Sequence, residues 1–277
     1  MSERRYDLHT HSSVSDGTDL PETIAELAAK AGLAGFALTD HDTFAGHRAA
    51  AAAAAKFGIE FIPGVELTTK IGYFSPHILG YWLADEPGDL ADKMTDLRRS
   101  RVERGQIMAQ RLAQDFPISW ESLRENTQAA SIGRPHLADE LIRAGVVQTR
   151  AEAFDCYLMP GGKYYEPSET LPATEAVRLI TAAGGVAVLA HPAAFRNRYV
   201  LGQEDLEALC AAGLRGIELR HPENNPAHLP GFVEMAQELG LVVTGASDYH
   251  GAGKINRIGQ ESTAAEVVAQ LREFAKS

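Results

Sequence analysis

The residues of this chain best suited to chemistry are its histidines and the acids beside them. His9 and His11 lie two apart, as do Asp248 and His250, so each pair points to one face of an extended backbone. Asp16 follows the first pair in a Ser- and Gly-containing loop, and His41, Glu66 and His191 each follow an apolar, β-prone run. His77 stands at the start or middle of such a run. Histidine with carboxylate, and no cysteine, suits zinc, manganese or iron in an open catalytic site. Nine such ligands are too many for one ion, whereas two or three divalent ions sharing Glu66 as a bridge would use them all. Clustered ions are the usual arrangement for phosphoryl transfer, where one generates hydroxide and the others clamp phosphate oxygens. A single histidine after a strand is more often a satisfied polar residue than a ligand, but that does not explain so many at equivalent strand ends. His47 and His228, within or beside helices, read as structural.

The elements that must position these residues follow from the hydrophobic pattern. β-prone runs occur near Tyr6 to Leu8, Gly35 to Leu38, Ile59 to Ile62, His77 to Trp82, Val186 to Leu189, Gly216 to Leu219 and Leu241 to Thr244. Helical stretches separate most of them. In the first, Asp19 is suited to cap, Pro21 to an early helical position and Glu22 to a capping pattern, with Gly32 and Gly35 as stops. Ala49 to Ala55 reads as a helix packed closely on a sheet. Alternating strands and helices predict an α/β fold with parallel strands, and seven runs suggest a closed or nearly closed barrel. In such a barrel the C-terminal strand ends converge on one face, where active sites are built. The rhythm breaks between about Asp85 and Pro172, where helix occurs with little strand. The expected organisation is a barrel from 1–84 and 173–277, with a mainly helical, substrate-capping insertion at 85–172 between the fourth and fifth strands.

Within that insertion, Met94, Leu97, Arg101, Arg104 or Gly105, Met108 and Leu112 follow helical spacing. Arg101 and Arg104 therefore interrupt an apolar face, and a buried guanidinium needs an anion. Two partners fit: a carboxylate of the barrel or a substrate phosphate, to which arginine's planar fork is matched. Arg98, Arg99 and Arg111 are expected on a solvated face.

Composition sets further bounds. The 277 residues are 45% apolar, enough for a full core. A net charge of −11 argues against wrapping a long nucleic acid, which requires a basic surface. No apolar run approaches the ~20 residues of a membrane span, and the first residues lack the apolar segment of a signal peptide. Cys156 and Cys210 are far apart and form no CxxC, which reads as reduced thiols in a cytoplasmic protein.

The ordered set Asp7-Leu8-His9-Thr10-His11-Ser12, Ser15-Asp16-Gly17, Leu38-Thr39-Asp40-His41-Asp42, Gly64-Val65-Glu66, His77-Ile78-Leu79-Gly80, Ala190-His191-Pro192 and Gly245-Ala246-Ser247-Asp248-Tyr249-His250 resembles the PHP (polymerase and histidinol phosphatase) family. The resemblance implies a distorted seven-stranded (β/α)7 barrel with two or three divalent ions, manganese first and zinc or iron as alternatives. It also implies that His9, His11, Glu66 and Asp248 hold one ion, Glu66, His77 and His191 a second, and Asp16, His41 and His250 a third. Metal-bound hydroxide would then attack phosphorus, with Glu66, His191 and Asp248 carrying catalysis through it. Ser131-Ile132-Gly133-Arg134-Pro135-His136, Phe154-Asp155, Tyr157-Leu158 and Gly161-Gly162 resemble the TrpH/RNase AM branch of that family. That likeness implies a small nucleotide substrate: a nucleoside 3′,5′-bisphosphate, or the 5′ end of a short 5′-phosphorylated oligonucleotide. It also favours Arg101, Arg104, Arg134 and His136 as substrate contacts. The alternatives are a phosphomonoesterase on another small metabolite, as in histidinol phosphatases, and a non-catalytic nucleotide-binding metallo-module. A carbon–nitrogen amidohydrolase ranks lower, because the bridging position is Glu66 and none of the strand-end ligands is lysine. Arg220, His221, Lys254 and Arg257 receive no role from the sequence.

Overall fold

The computed structural model describes residues 4–72, 74–83, 87–127, 129–195 and 200–275. The boundary expected at 84/85 lies outside the described residues. The chain runs β1 (Arg5–Asp7), α1 (Pro21–Lys30), β2 (Gly35–Leu38), α2 (His47–Phe57), β3 (Glu60–Lys70), β4 (His77–Tyr81), α3 (Asp89–Leu112), α4 (Trp120–Glu125), α5 (Arg134–Arg143) and α6 (Arg150–Ala153). It continues with β5 (Leu171–Pro172), α7 (Ala173–Ala182), β6 (Val186–Ala190), α8 (Gln203–Ala212), β7 (Leu214–Arg220), α9 (Leu229–Glu238), β8 (Val242–Gly245), β9 (Thr263–Ala264) and α10 (Ala265–Phe274). The sheet order is β8-β7-β6-β4-β3-β2-β1-β9, with the two-residue β5 beside the end of β3. The seven longer strands correspond to the seven expected runs, and the two-residue strands β5 and β9 add to them.

β4 corrects the expectation of uniformly parallel strands. It is antiparallel to both β3 and β6. The cause is the connection: β3 turns back directly after Ile71 and Phe74 exchange backbone hydrogen bonds, and a short turn can join only antiparallel neighbours. Reversal brings the start of β4 to the same end of the sheet as the C-terminal ends of its parallel neighbours. His77 therefore joins them from the first residue of its strand, and pairs across the ladder with Ala190, next to His191.

β8 and β1 are bridged just beyond their ends. Thr10 and Tyr249 form a parallel bridge, and the amide of His11 donates to the carbonyl of Tyr249 at 2.8 Å. The amide and hydroxyl of Ser247 also donate to the Asp7 carboxylate, at 3.0 and 2.6 Å. The barrel is thus nearly closed at the face where the candidate ligands gather.

α1 begins as Pro21 suggests, but Leu20 occupies the cap position and makes no side-chain cap bond. Asp19 instead accepts a 2.6 Å hydrogen bond from the Tyr249 hydroxyl, so its carboxylate ties the helix entry to the last ligand segment. Gly32, with φ +74°, ends the helix turn. Gly35 is not a helix stop: it lies inside β2, where a Cβ would come within 2.7 Å of the Tyr6 ring.

α3 belongs to two cores. Leu90, Met94 and Leu97 in its first half pack into the barrel's outer apolar layer with Val177 and Ile180 of α7. Met108, Ala109 and Leu112 in its second half pack with Leu123, Leu137, Leu141 and Leu158, a separate cluster within the helical segment between β4 and β5. One continuous helix therefore fixes that segment to the barrel.

Candidate metal centre

Glu66 is the geometric hub. It sits midway along β3, 1% exposed, with its two oxygens facing different partners. Oε2 lies 3.0 Å from His11 Nε2 and 3.4 Å from both His9 Nε2 and His41 Nε2. Oε1 lies 2.5 Å from His77 Nδ1 and 3.2 Å from His191 Nε2. Around this hub, Asp16 approaches His11, His41 and His250 at 3.4–3.6 Å, and Asp248 approaches His9 and His11 at 3.5 Å and His250 at 3.3 Å. All nine sequence-selected residues meet in one cluster drawn from seven segments of the chain.

The donor set fits divalent ions. His9 Nε2 and His11 Nε2 are 3.1 Å apart, with both rings fully buried. Two neutral imidazoles cannot aim lone pairs at each other at that distance without a cation or proton to share. Several triples of potential donor atoms lie within 4.8 Å of one another, among them His9-His11-Glu66, His9-His191-Asp248 and His11-Asp16-His41.

Electrostatics agree with that arrangement. Burial opposes charge on Glu66, but His77, His41 and His9 outweigh it and hold its carboxyl well below the ordinary range. Burial likewise opposes charge on Asp16, and His41 and His250 overcome it. For His41 burial wins, and its pKa falls well below the ordinary value despite Glu66 and Asp16. The carboxylates are thus held ionised, while the imidazoles divide: burial lowers His41 and His250 toward the neutral form that metal ligation requires, whereas for His9 and His11 burial is outweighed by the carboxylates of Glu218, Asp248, Glu66 and Asp16, which raise both. The backbone is strained here as well: Asp42, His191 and Asp248 have φ of +55°, +28° and +52°, a conformation that non-glycine residues adopt mainly where the surroundings enforce it.

An outer layer of groups was not selected from the sequence. Glu218, fully buried in β7, faces His9 Nδ1 at 3.2 Å and accepts the His191 amide at 3.1 Å. That contact turns His9 Nε2 toward the centre, the carboxylate–histidine pairing common behind metal ligands. His221 Nε2 lies 3.4 Å from Asp248 Oδ2, and Lys254 Nζ lies 2.5 Å from the same oxygen. Asp40 accepts from the Ser12 amide and hydroxyl and from the Ser15 hydroxyl, shaping the loop that carries Asp16. The one available sign of Glu218 was an acid between Ile217 and Leu219 in a strand apolar on both sides. His47 Nε2 donates to the Gly64 carbonyl at 2.8 Å, and His228 stands at the N-cap position of α9 without a side-chain cap bond.

The helical segment borders this cluster. Arg101 Nε pairs with Asp42 Oδ2 at 2.7 Å, so it has the barrel carboxylate that was one of its two expected partners. Arg104 differs: it donates to the Ser168 hydroxyl at 2.9 Å and has no carboxylate at ion-pair distance among the described residues. Burial, with the charges of Arg101 and Arg134, pushes its pKa down to about 9. Arg134 opens α5, donates to the Leu158 carbonyl and lies over the Phe154 ring at 5.3 Å. His136, 8% exposed, accepts the Gly133 amide at 3.0 Å. Arg98 corrects its expected place on a solvated face: its guanidinium reaches the Asp42 carbonyl. Arg111 is half-buried against Tyr165 and Glu166, and only Arg99 is exposed as expected.

A model of the PHP domain matches residues 7–116. The chain is 35% identical over 257 residues to a 3′,5′-nucleoside bisphosphate phosphatase of Chromobacterium violaceum, covering 91% of this chain and 89% of that one. It is 31% identical to the 5′-3′ exoribonuclease Rnm of Salmonella typhimurium, covering 88% and 85%. A crystal structure from Bifidobacterium adolescentis, assigned as a metal-dependent phosphoesterase, superposes with a TM-score of 0.95 at 36% identity over 99% of this chain and 97% of that one.

Proposed function

The chain belongs to the PHP domain family, a hydrolase acting on phosphate esters, and from that premise we propose that it hydrolyses small nucleotides carrying two phosphates. The favoured substrates are nucleoside 3′,5′-bisphosphates and the 5′ end of short 5′-phosphorylated oligonucleotides. In this reading His9, His11, Glu66 and Asp248 hold one ion, Glu66, His77 and His191 a second, and Asp16, His41 and His250 a third, with manganese as the first candidate metal. The ions would supply Lewis acidity, activating a water and neutralising phosphate charge. The observation that carries the reading is Glu66, whose two oxygens divide five histidines into a group of three and a group of two.

The chain's own residues do the rest. Glu66, Asp16 and Asp248 keep negative charge at the centre, as their low pKa values require. Glu218 fixes the ring orientation of His9. Arg104, a mostly buried cation with no carboxylate at ion-pair distance among the described residues, offers an anion site with Arg101 and Arg134 around it, and His136, beside Asp16 and Asp139, is a further substrate contact in this reading. We assign the second phosphate to that site. The helical segment 85–172 thereby caps the barrel and selects the substrate.

Phosphate release from a panel of nucleoside bisphosphates, short 5′-phosphorylated oligonucleotides and p-nitrophenyl phosphate, with manganese, zinc or iron supplied, tests the proposal. Bisphosphates or oligonucleotides should lead the panel. Glu66→Gln should lose both metal content and turnover while remaining folded. Near wild-type turnover with full metal occupancy in that variant would remove Glu66 from the bridging role.

A further inference from the structure

Arg150 stands in the first turn of α6, far in sequence from every candidate ligand, yet it touches the two chain segments that carry Asp16 and His250. Its Nε and Nη2 hold both oxygens of Asp139, at 2.6 and 2.7 Å, which fixes the guanidinium plane. The remaining nitrogen, Nη1, donates to the backbone carbonyl of Asp16 at 2.9 Å. The side chain is only 11% exposed. On its other side the guanidinium lies against Gly253, where an added Cβ would come within 2.7 Å of Cζ. Gly253 closes the turn after His250, and its amide donates to the His250 carbonyl at 3.2 Å. The same carbonyl accepts the Thr18 amide at 3.2 Å, so the Asp16 loop and the His250 turn are also joined directly.

We infer that Arg150 is a positioning residue for the Asp16–His41–His250 metal position, held in place by Asp139. The physical reason lies in the loop itself. Asp16 is not on a strand, so no ladder fixes its carboxylate, and loops hold ligand geometry less firmly than strands. The helical segment provides the missing support from outside. The Ala130 amide donates to the Val14 carbonyl at 2.8 Å, and Arg150 grips the carbonyl two residues on. A fully engaged guanidinium is well suited to this task, because a bidentate carboxylate locks its plane and leaves one donor aimed outward. The segment that borders the substrate site is then also part of the metal site.

The inference rests on the three-ion reading above, and the experiment separates the two. Manganese is titrated alone into metal-free full-length protein by calorimetry, for wild type, Arg150→Ala and Arg150→Lys. In the same metal-free proteins, hydrogen exchange is followed at the Gly17 and Thr18 amides, which are bonded to Ser12 and His250. Arg150→Ala should weaken the loosest manganese equivalent by about ten-fold or more and leave the tighter ones nearly unchanged. Exchange at Gly17 and Thr18 should rise about ten-fold while the strand amides stay protected. Arg150→Lys, which cannot span Asp139 and Asp16 together, should move both readouts the same way by less, and it decides the matter if the alanine variant does not fold. Unchanged exchange at Gly17 and Thr18, or an equal loss at every metal equivalent with general loss of protection, overturns the inference. If wild type binds no weaker equivalent, the three-ion reading fails, and the exchange data alone still decide whether Arg150 clamps the loop.

Discussion

Replacing Arg104 by methionine should make the ligand-free protein more stable and a poorer bisphosphatase. The guanidinium is mostly buried, bonds one neutral hydroxyl, and shares its surroundings with Arg101 and Arg134. A fall from 12.5 to about 9 corresponds to about 5 kcal/mol against the charged form, at ~1.36 kcal/mol per pH unit. Part of that is relieved by residual water, and methionine forfeits the Ser168 contact, which contributes about 1 kcal/mol. Methionine keeps the apolar stem that packs along the helix face and removes the charge. Replacing even a paired buried ion set by apolar groups of similar volume is often neutral or gains about 1–4 kcal/mol, and Arg104 has only the more distant Asp42 charge to lose, so a net gain of about 1–3 kcal/mol is expected. At about 2 °C per kcal/mol for a chain of this size, the midpoint should rise on the order of 2–6 °C. Differential scanning calorimetry in phosphate-free buffer measures it. Excess inorganic phosphate should then stabilise wild type more than the variant. In the same variant kcat/KM for a nucleoside bisphosphate should fall about ten- to a hundred-fold, because a charge-assisted contact contributes about 1.5–3 kcal/mol. p-Nitrophenyl phosphate should be hydrolysed nearly as before. A lower midpoint would show Arg104 to be a strut of the helical segment, and equal losses on both substrates would remove the second anion site.

Arg134→Ala should lower kcat/KM for a bisphosphate about ten-fold or more and affect a simple monoester much less; parallel losses would assign Arg134 to the fold, through Leu158 and Phe154. Glu218→Gln should weaken metal binding about ten- to a hundred-fold, as loss of a carboxylate behind a ligating histidine commonly does, and metal content after dialysis against a chelator checks it. Asp7, with no exposed surface, has its carboxyl pushed up to about 6 by burial, against donors from Ser247, Gly259 and His9. Its folded pKa exceeds the ordinary 3.8, so its contribution to stability grows as pH falls from about 6 toward 3.8 and is lost as pH rises through 6. A carboxyl carbon titration by NMR should find the midpoint near 6, and Ser247→Ala should move it higher still.

Much of the candidate site was legible in the sequence because its ligands are local signatures. His9 with His11, and Asp248 with His250, are pairs whose spacing alone puts both side chains on one face, and each follows an apolar run that can only be a strand. The barrel was legible for the same reason: seven β-prone runs separated by helical stretches allow few closed arrangements. Alternation could not reveal the direction of β4, because strand direction depends on whether a turn or a helix makes the connection, and the turn after Lys70 carries no strong signal. That reversal is what places His77 beside Glu66. The helix from Asp89 to Leu112 showed its interrupted apolar face in its spacing, yet spacing could not separate Arg101 from Arg104. Only the folded chain brings Asp42 to one and leaves the other with a hydroxyl. Glu218 and Arg150 were beyond reach for a related reason. Each acts on a residue more than a hundred positions away, and no local pattern records a contact that exists only when distant segments are folded together.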